Sequence, residues 1–223
     1  MFPSIEYDRS KIHDLEQIKT EKGRFYVGPF GERYPSVTTV LSWKSAPAIA
    51  KWRKRVGHEA ATKIVTQAAR RGTGMHTVCE RYLLNEENYL RDTMPNVQML
   101  FQPVKAALDN HVTGIYCLEQ RLYSDYIGVA GTVDFIGQYK GKPAVIDFKT
   151  SIKIKKLEYM QNYFMQASAY CVMFEELTGI AVPRIVIMMA SDEGDFCIFE
   201  QKRDDHIFKF IDLVNDYKAT MAS

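Results

Sequence analysis

The stretch Ala144-Val145-Ile146-Asp147-Phe148-Lys149-Thr150 decides how this chain is read. Alternate side chains of a strand point to one face, so Asp147 and Lys149 project together while Ile146 and Phe148 project the other way. A carboxylate and an ammonium ending an otherwise apolar strand are costly unless they pair or hold a metal. Just upstream, Tyr139-Lys140-Gly141-Lys142 has the composition of a tight turn joining two strands. The earlier strand, residues 128–139, carries Asp134 within Gly131-Thr132-Val133-Asp134-Phe135. A short hairpin lets both carboxylates reach one end of the sheet. Two oxygen donors at one point suit a hard divalent cation, Mg²⁺ or Mn²⁺.

Working outward, a strand over 115–124 completes a three-stranded meander. A long helix over 157–178 ends at Gly179, followed by a buried strand 184–190, an edge strand 196–201 and a closing helix 205–219. Upstream, helical patterning covers 47–67, 73–84 and 97–113, with breaks placed at Gly72/Gly74 and at Met94-Pro95. Ser36 is placed to cap a helix entering at Val37-Thr38-Thr39-Val40-Leu41, and residues 24–27 start a hairpin turning at 28–31. The pattern predicts an α/β protein. It divides into an N-terminal hairpin and helical region, 1–114, and a core, 115–223, which the helix 73–84 joins in one compact unit.

The bulk numbers are those of an ordinary globular protein: 223 residues, 46% hydrophobic and 25% charged. No run approaches the ~20 apolar residues that span a bilayer, and Met1-Phe2-Pro3-Ser4-Ile5-Glu6 has no leader character. These features predict an intracellular protein with no membrane partner. Cys79, Cys117, Cys171 and Cys197 are scattered without a Cys-x-x-Cys pair, so four reduced thiols are expected. The formal charge of +2 says little. Its distribution says more: Lys44, Lys51, Arg53, Lys54, Arg55, Lys63, Arg70 and Arg71 are opposed within that span only by Glu59. Such an excess suits a polyanion, although a solvated helix face is the plainer account.

A third element is Arg71-Gly72-Thr73-Gly74-Met75-His76-Thr77-Val78-Cys79-Glu80, where His76 and Glu80 share a helix face. A lone helical histidine is more often packed or exposed than a ligand. Gln166 and Tyr170 form another pair four apart on the long helix, which means little alone. Together, His76, Gly131-x-x-Asp134, Asp147-x-Lys149 and Gln166-x-x-x-Tyr170 resemble the RecB-type branch of the PD-(D/E)XK nuclease superfamily, in its order and with its spacing. Pro35-Ser36-Val37-Thr38-Thr39-Val40-Leu41, Arg71-Gly72-Thr73-x-x-His76 and Tyr139-x-Gly141-Lys142-x-x-Val145-Ile146-Asp147-x-Lys149-Thr150-Ser151 look like the mitochondrial genome maintenance exonuclease family and its phage and bacterial relatives. The likeness runs from about residue 35 to 200.

The resemblance implies a restriction-endonuclease-like core with a central mixed sheet flanked by helices, plus an N-terminal helical arch passing single-stranded DNA. It implies a metal-dependent DNA exonuclease using one or two Mg²⁺ or Mn²⁺ ions. His76, Asp134, Asp147 and the Phe148 main-chain carbonyl would hold metal, and Lys149 would act with the aspartates in catalysis. Gln166, Tyr170, Arg70, Arg71, Trp52 and Thr150 are the candidate DNA contacts. Trp52 is offered as a base-stacking surface, though a packed tryptophan is commoner. Glu80 and Glu119 are further candidate ligands against the commoner finding of an exposed glutamate. Val133 stands where a proline usually precedes the first acidic residue. The cysteine cluster of some relatives is missing, so no iron–sulfur cluster is expected. DNA is the expected partner, with replication or recombination proteins beside it. A bacterial or phage-infected cytoplasm is expected over a mitochondrion. A duplex exonuclease or structure-specific endonuclease on the same fold, and a non-catalytic nucleic-acid-binding module, remain alternatives.

Overall fold

The strands resolve into two sheets. The structure, a computed structural model, describes residues 1–222. β1 (Glu16–Thr20), β2 (Gly23–Val27) and β3 (Arg33–Pro35) form a small antiparallel sheet in that order. The hairpin of β2 and β3 is where the turn residues placed it; β1 is an addition that the polar sequence Glu16-Gln17-Ile18-Lys19-Thr20 does not announce. The main sheet runs β4 (Val112–Ser124), β5 (Val129–Tyr139), β6 (Lys142–Ser151), β7 (Arg184–Ser191) and β8 (Phe196–Lys202), in sequence order. β6 and β7 are parallel and the other neighbours antiparallel, so the sheet is mixed. A parallel pair needs a crossover, and α4 (Gln161–Thr178) supplies it. The protein is therefore α/β, with a central mixed sheet and flanking helices.

The two faces of the sheet are covered separately. Ile146, Phe148, Val186 and Met188 pack with Met75 and Val78 of α2 (His58–Leu83) and Phe101 and Val104 of α3 (Pro95–His111). Val145, Ile185 and Ile187 pack with Phe164 and Phe174 of α4 and Phe210 of α5 (Asp204–Ala222). Strands buried on both faces read as continuous apolar runs, which is why β6 and β7 are so hydrophobic. Each fully buried side chain of this size contributes about 1.5–3 kcal/mol.

The turns follow local chemistry. Lys140 and Gly141 have φ of 47° and 72°, positive at both central positions as a two-residue hairpin turn demands. Ser36 caps α1 (Val37–Val56), its Oγ accepting from Thr39 N at 3.0 Å. Gly179, at φ 74°, ends α4 and donates to Glu175 O.

The helix boundaries differ from the periodic reading. α1 begins at the Ser36 cap, where the sequence placed a helix entry, and runs on through Pro47, so the entry and the patterned stretch are one helix. The break between helices lies at Gly57, where φ is 92°, and α2 runs unbroken through Gly72 and Gly74. At Gly74 the reason is packing: a Cβ there would sit 3.1 Å from Val97 Cγ2 of α3. Glycine costs a helix about 1 kcal/mol relative to alanine, and the close approach of α3 offsets it. The four cysteines are free thiols, three of them buried. Among the described residues no helix is long and apolar enough to cross a membrane.

Candidate metal centre

The candidate site sits where the main sheet forks. β5 and β6 pair from Tyr139↔Lys142 to Phe135↔Ile146 and no further, whereas β6 continues to pair with β7 through Ser151. Asp134 and Asp147 are the first residues beyond the last β5–β6 pair. In place of a ladder bond, the Phe148 N–H donates to Asp134 Oδ2 at 3.3 Å. α2 lies against β6 here, and it brings His76 Nδ1 to 3.3 Å from the same oxygen.

Glu119 completes the group from the edge strand. It lies between the pairs Leu118↔Phe135 and Gln120↔Val133, which puts it opposite Asp134. Its φ of 44° is left-handed, a conformation that costs a non-glycine residue of order 1 kcal/mol and that concentrates at functional sites. His76, Glu119 and Asp134 each bring a donor atom within 4.8 Å of the others. An imidazole and two carboxylates match a divalent transition ion or Mg²⁺. Asp147 lies alongside, 2% exposed, and its Oδ2 has no hydrogen-bond donor. Lys149 Nζ stands 2.5 Å from that oxygen as an ion pair. The grouped donors of His76, Glu119 and Asp134, with the Asp147 carboxylate alongside, fit a cation.

The electrostatics separate the two aspartates. Burial works against ionisation of Asp134, but the hydrogen bond from His76 and the charges of His76 and Lys149 hold its pKa below the usual carboxylate range. For Asp147, burial together with the charge on Asp134 outweighs Lys149 and pushes the pKa up. Lys149 is held protonated: burial opposes its charge, and the Asp147 and Asp134 carboxylates more than restore it. The same contest leaves His76 raised, burial being overcome by Asp134. Burial and then Asp134 push Glu119 up to about 7, although the residue as a whole is exposed to solvent. Burial is the larger cause for both raised acids, and the Asp134 charge adds to it.

The remaining candidates fall in different places. Gln166 Nε2 donates to Tyr170 Oη at 3.4 Å, and the Tyr170 ring lies on Gly131 of β5. A Cβ at Gly131 would stand 2.7 Å from Tyr170 Cε1 and 2.9 Å from its oxygen. Tyr170 is only 3% exposed and has little room to yield. Gly131→Ala is therefore expected to cost about 1–3 kcal/mol in urea unfolding. Arg71 is committed to an ion pair with Asp192, and Arg70 is exposed; both line a cavity of about 690 Å³ along α2. Trp52 is half-buried beside Ile49 and Asn162 at a shallow pocket, and Thr150 is half-buried at the end of β6. Glu80, one turn beyond His76, is outside the donor group. At Phe148 the structure engages the N–H.

Tyr163, absent from the sequence candidates, stands close to Lys149, and Lys155 reaches Tyr163 in turn. Tyr163, one helical turn before Gln166, has its ring 5.2 Å from Lys149 Nζ, and Lys155 donates to its oxygen at 2.6 Å. The i,i+3,i+7 spacing of Tyr163, Gln166 and Tyr170 was the available signal.

No family model matches the chain. A stretch of 131 residues is 25% identical to mitochondrial genome maintenance exonuclease 1 of Mus musculus, covering 55% of this chain and 38% of that protein. The match thus spans well under half of the relative's length. A presumed exonuclease from Eubacterium rectale superposes with a TM-score of 0.52 at 14% identity, covering 70% of this chain and 66% of that one, a likeness of fold. Over part of the chain the sequence is similar to that exonuclease, and over most of it the fold is similar to that solved structure.

Proposed function

We propose that this chain is a metal-dependent DNA exonuclease of the PD-(D/E)XK type that hydrolyses phosphodiester bonds from single-stranded ends. The observation that carries the reading is the convergence of His76, Glu119 and Asp134 at the sheet fork, with Lys149 held against Asp147 beside them. His76, Glu119, Asp134 and Asp147 would hold Mg²⁺ or Mn²⁺. When bound, the ion would lower the pKa of a water molecule and neutralise charge growing on the phosphate. Lys149 keeps its proton and presents a fixed cation where negative charge develops, without reorganising at the moment of reaction. Gln166 and Tyr170 support the β5 side of the fork.

The path of the strand follows from α1 and α2. From His58 to Arg70, Ala61 is the one buried residue of α2, so this half of the helix stands clear of the core. Lys44, Lys51, Lys54, Arg55, Lys63 and Arg70 are exposed along the two helices. Arg53, Lys54 and Arg55 also suit the negative end of α1. Cations on two projecting helices leading toward His76 form an arch for a DNA strand, where released counterions favour binding. Trp52 and Thr150 are the contacts we assign within this path.

The test is digestion of end-labelled linear and circular DNA, single- and double-stranded, with Mg²⁺, Mn²⁺ or chelator. Linear single strands should be consumed in metal, circles should survive, and chelator should stop the reaction. Nicking of circles would mark an endonuclease, and binding without cleavage would mark a non-catalytic module.

A further inference from the structure

Tyr163 of α4 has two ammonium groups near it. Lys149 Nζ is 5.2 Å from the centre of its ring, and Lys155 Nζ is 4.6 Å from the same centre. Lys155 also donates a 2.6 Å hydrogen bond to the phenol oxygen. The two ammonium nitrogens are no farther apart than those two ring distances placed end to end. That span covers at most about three nucleotides of a stacked strand, at ~3.4 Å each.

The two lysines differ in what else they touch. Lys149 is committed to Asp147. No ion pair among the described residues engages Lys155, whereas its neighbour Lys153 pairs with Glu193. An ammonium has three donors, and Tyr163 takes one, leaving two directed elsewhere. Lys155 is half-buried in the segment between β6 and α4, so it is held in place and still reached by solvent. Ordering by the phenol oxygen removes much of the flexibility that makes lysine a weak phosphate anchor.

We propose that Lys155 binds the phosphate next to the scissile one, and that Tyr163 is a positioning residue, holding Lys155 by its oxygen and Lys149 by its ring. The inference rests on the nuclease reading. It assigns separate duties to the two parts of one side chain: the oxygen serves substrate binding, and the ring serves the rate.

The experiment is steady-state digestion of a linear single-stranded oligonucleotide in Mg²⁺ by the full chain and three variants, across a salt series. Lys155→Gln should raise KM roughly tenfold at unchanged kcat and lower the salt slope of binding by about 0.7, the value of one phosphate contact on a single strand. Tyr163→Phe should raise KM a few-fold and keep kcat. Tyr163→Leu should in addition lower kcat by roughly tenfold, so that phenylalanine rescues the rate but not the binding. Unchanged KM and salt slope in Lys155→Gln would overturn the phosphate contact. Equal losses of kcat in the phenylalanine and leucine variants would overturn the positioning role. A wild type that cleaves no DNA would remove the nuclease reading itself, and this inference with it. Active wild type with unaffected Lys155→Gln sinks the inference alone.

Discussion

Asp134→Asn is expected to lower kcat on single-stranded DNA by on the order of 10³-fold, about 4 kcal/mol of transition-state stabilisation. Its carboxylate is the hinge of the site: Oδ2 faces His76 and accepts from the Phe148 N–H, and Glu119 approaches from the opposite strand. Asparagine keeps the shape and one acceptor oxygen while removing the charge. The fold should survive at some cost in stability: the charge that pushes up Asp147 and Glu119 is also the one that His76, Lys149 and the Phe148 N–H stabilise. The check is kcat beside a thermal melt of the same preparation. Lost activity with a cooperative melt at an unchanged or modestly lowered Tm fits the account. Full activity would remove Asp134 from the chemistry.

Lys149→Met should lower kcat by roughly 10²–10³-fold. The rival account makes Lys149 only the structural partner of Asp147, which it contacts at 2.5 Å. The two readings diverge in the stability column. Removing one partner of a buried pair leaves an uncompensated charge, at a cost of about 3–5 kcal/mol unless the carboxyl takes up a proton. Asp147 is already raised by burial and by Asp134, so protonation is the easier outcome. Methionine also fills most of the lysine stem's volume. A structural lysine would then show a lower Tm and normal turnover per folded molecule. A catalytic one shows lost turnover per folded molecule whatever the Tm.

Much of this architecture was legible because local chemistry and tertiary structure agree. The Lys140-Gly141 turn needs two positive φ angles, Ser36 offers a cap, and the apolar runs of β6 and β7 need cover on both faces. Alternation along β6 also placed Asp147 and Lys149 together, and they are in contact. What was illegible depends on distant partners. Gly72 and Gly74 have the composition of a helix break, but α3 packs Val97 against Gly74, and the helix continues. Gly57 carries the break because its φ of 92° excludes other residues, a fact that composition does not reveal. Glu119 looks like any strand glutamate until the register sets it opposite Asp134 with a left-handed backbone. Tyr163 had the spacing of its helix face but no reason to be singled out before Lys155 was seen to reach it.

The central claim is that His76, Glu119 and Asp134 together grip a divalent ion. Titration of Mn²⁺ into the wild type, Glu119→Gln and Asp134→Asn, followed by calorimetry, tests it most directly. The account predicts saturable binding by the wild type and an affinity at least tenfold weaker in each variant. Equal affinity in all three proteins would contradict it.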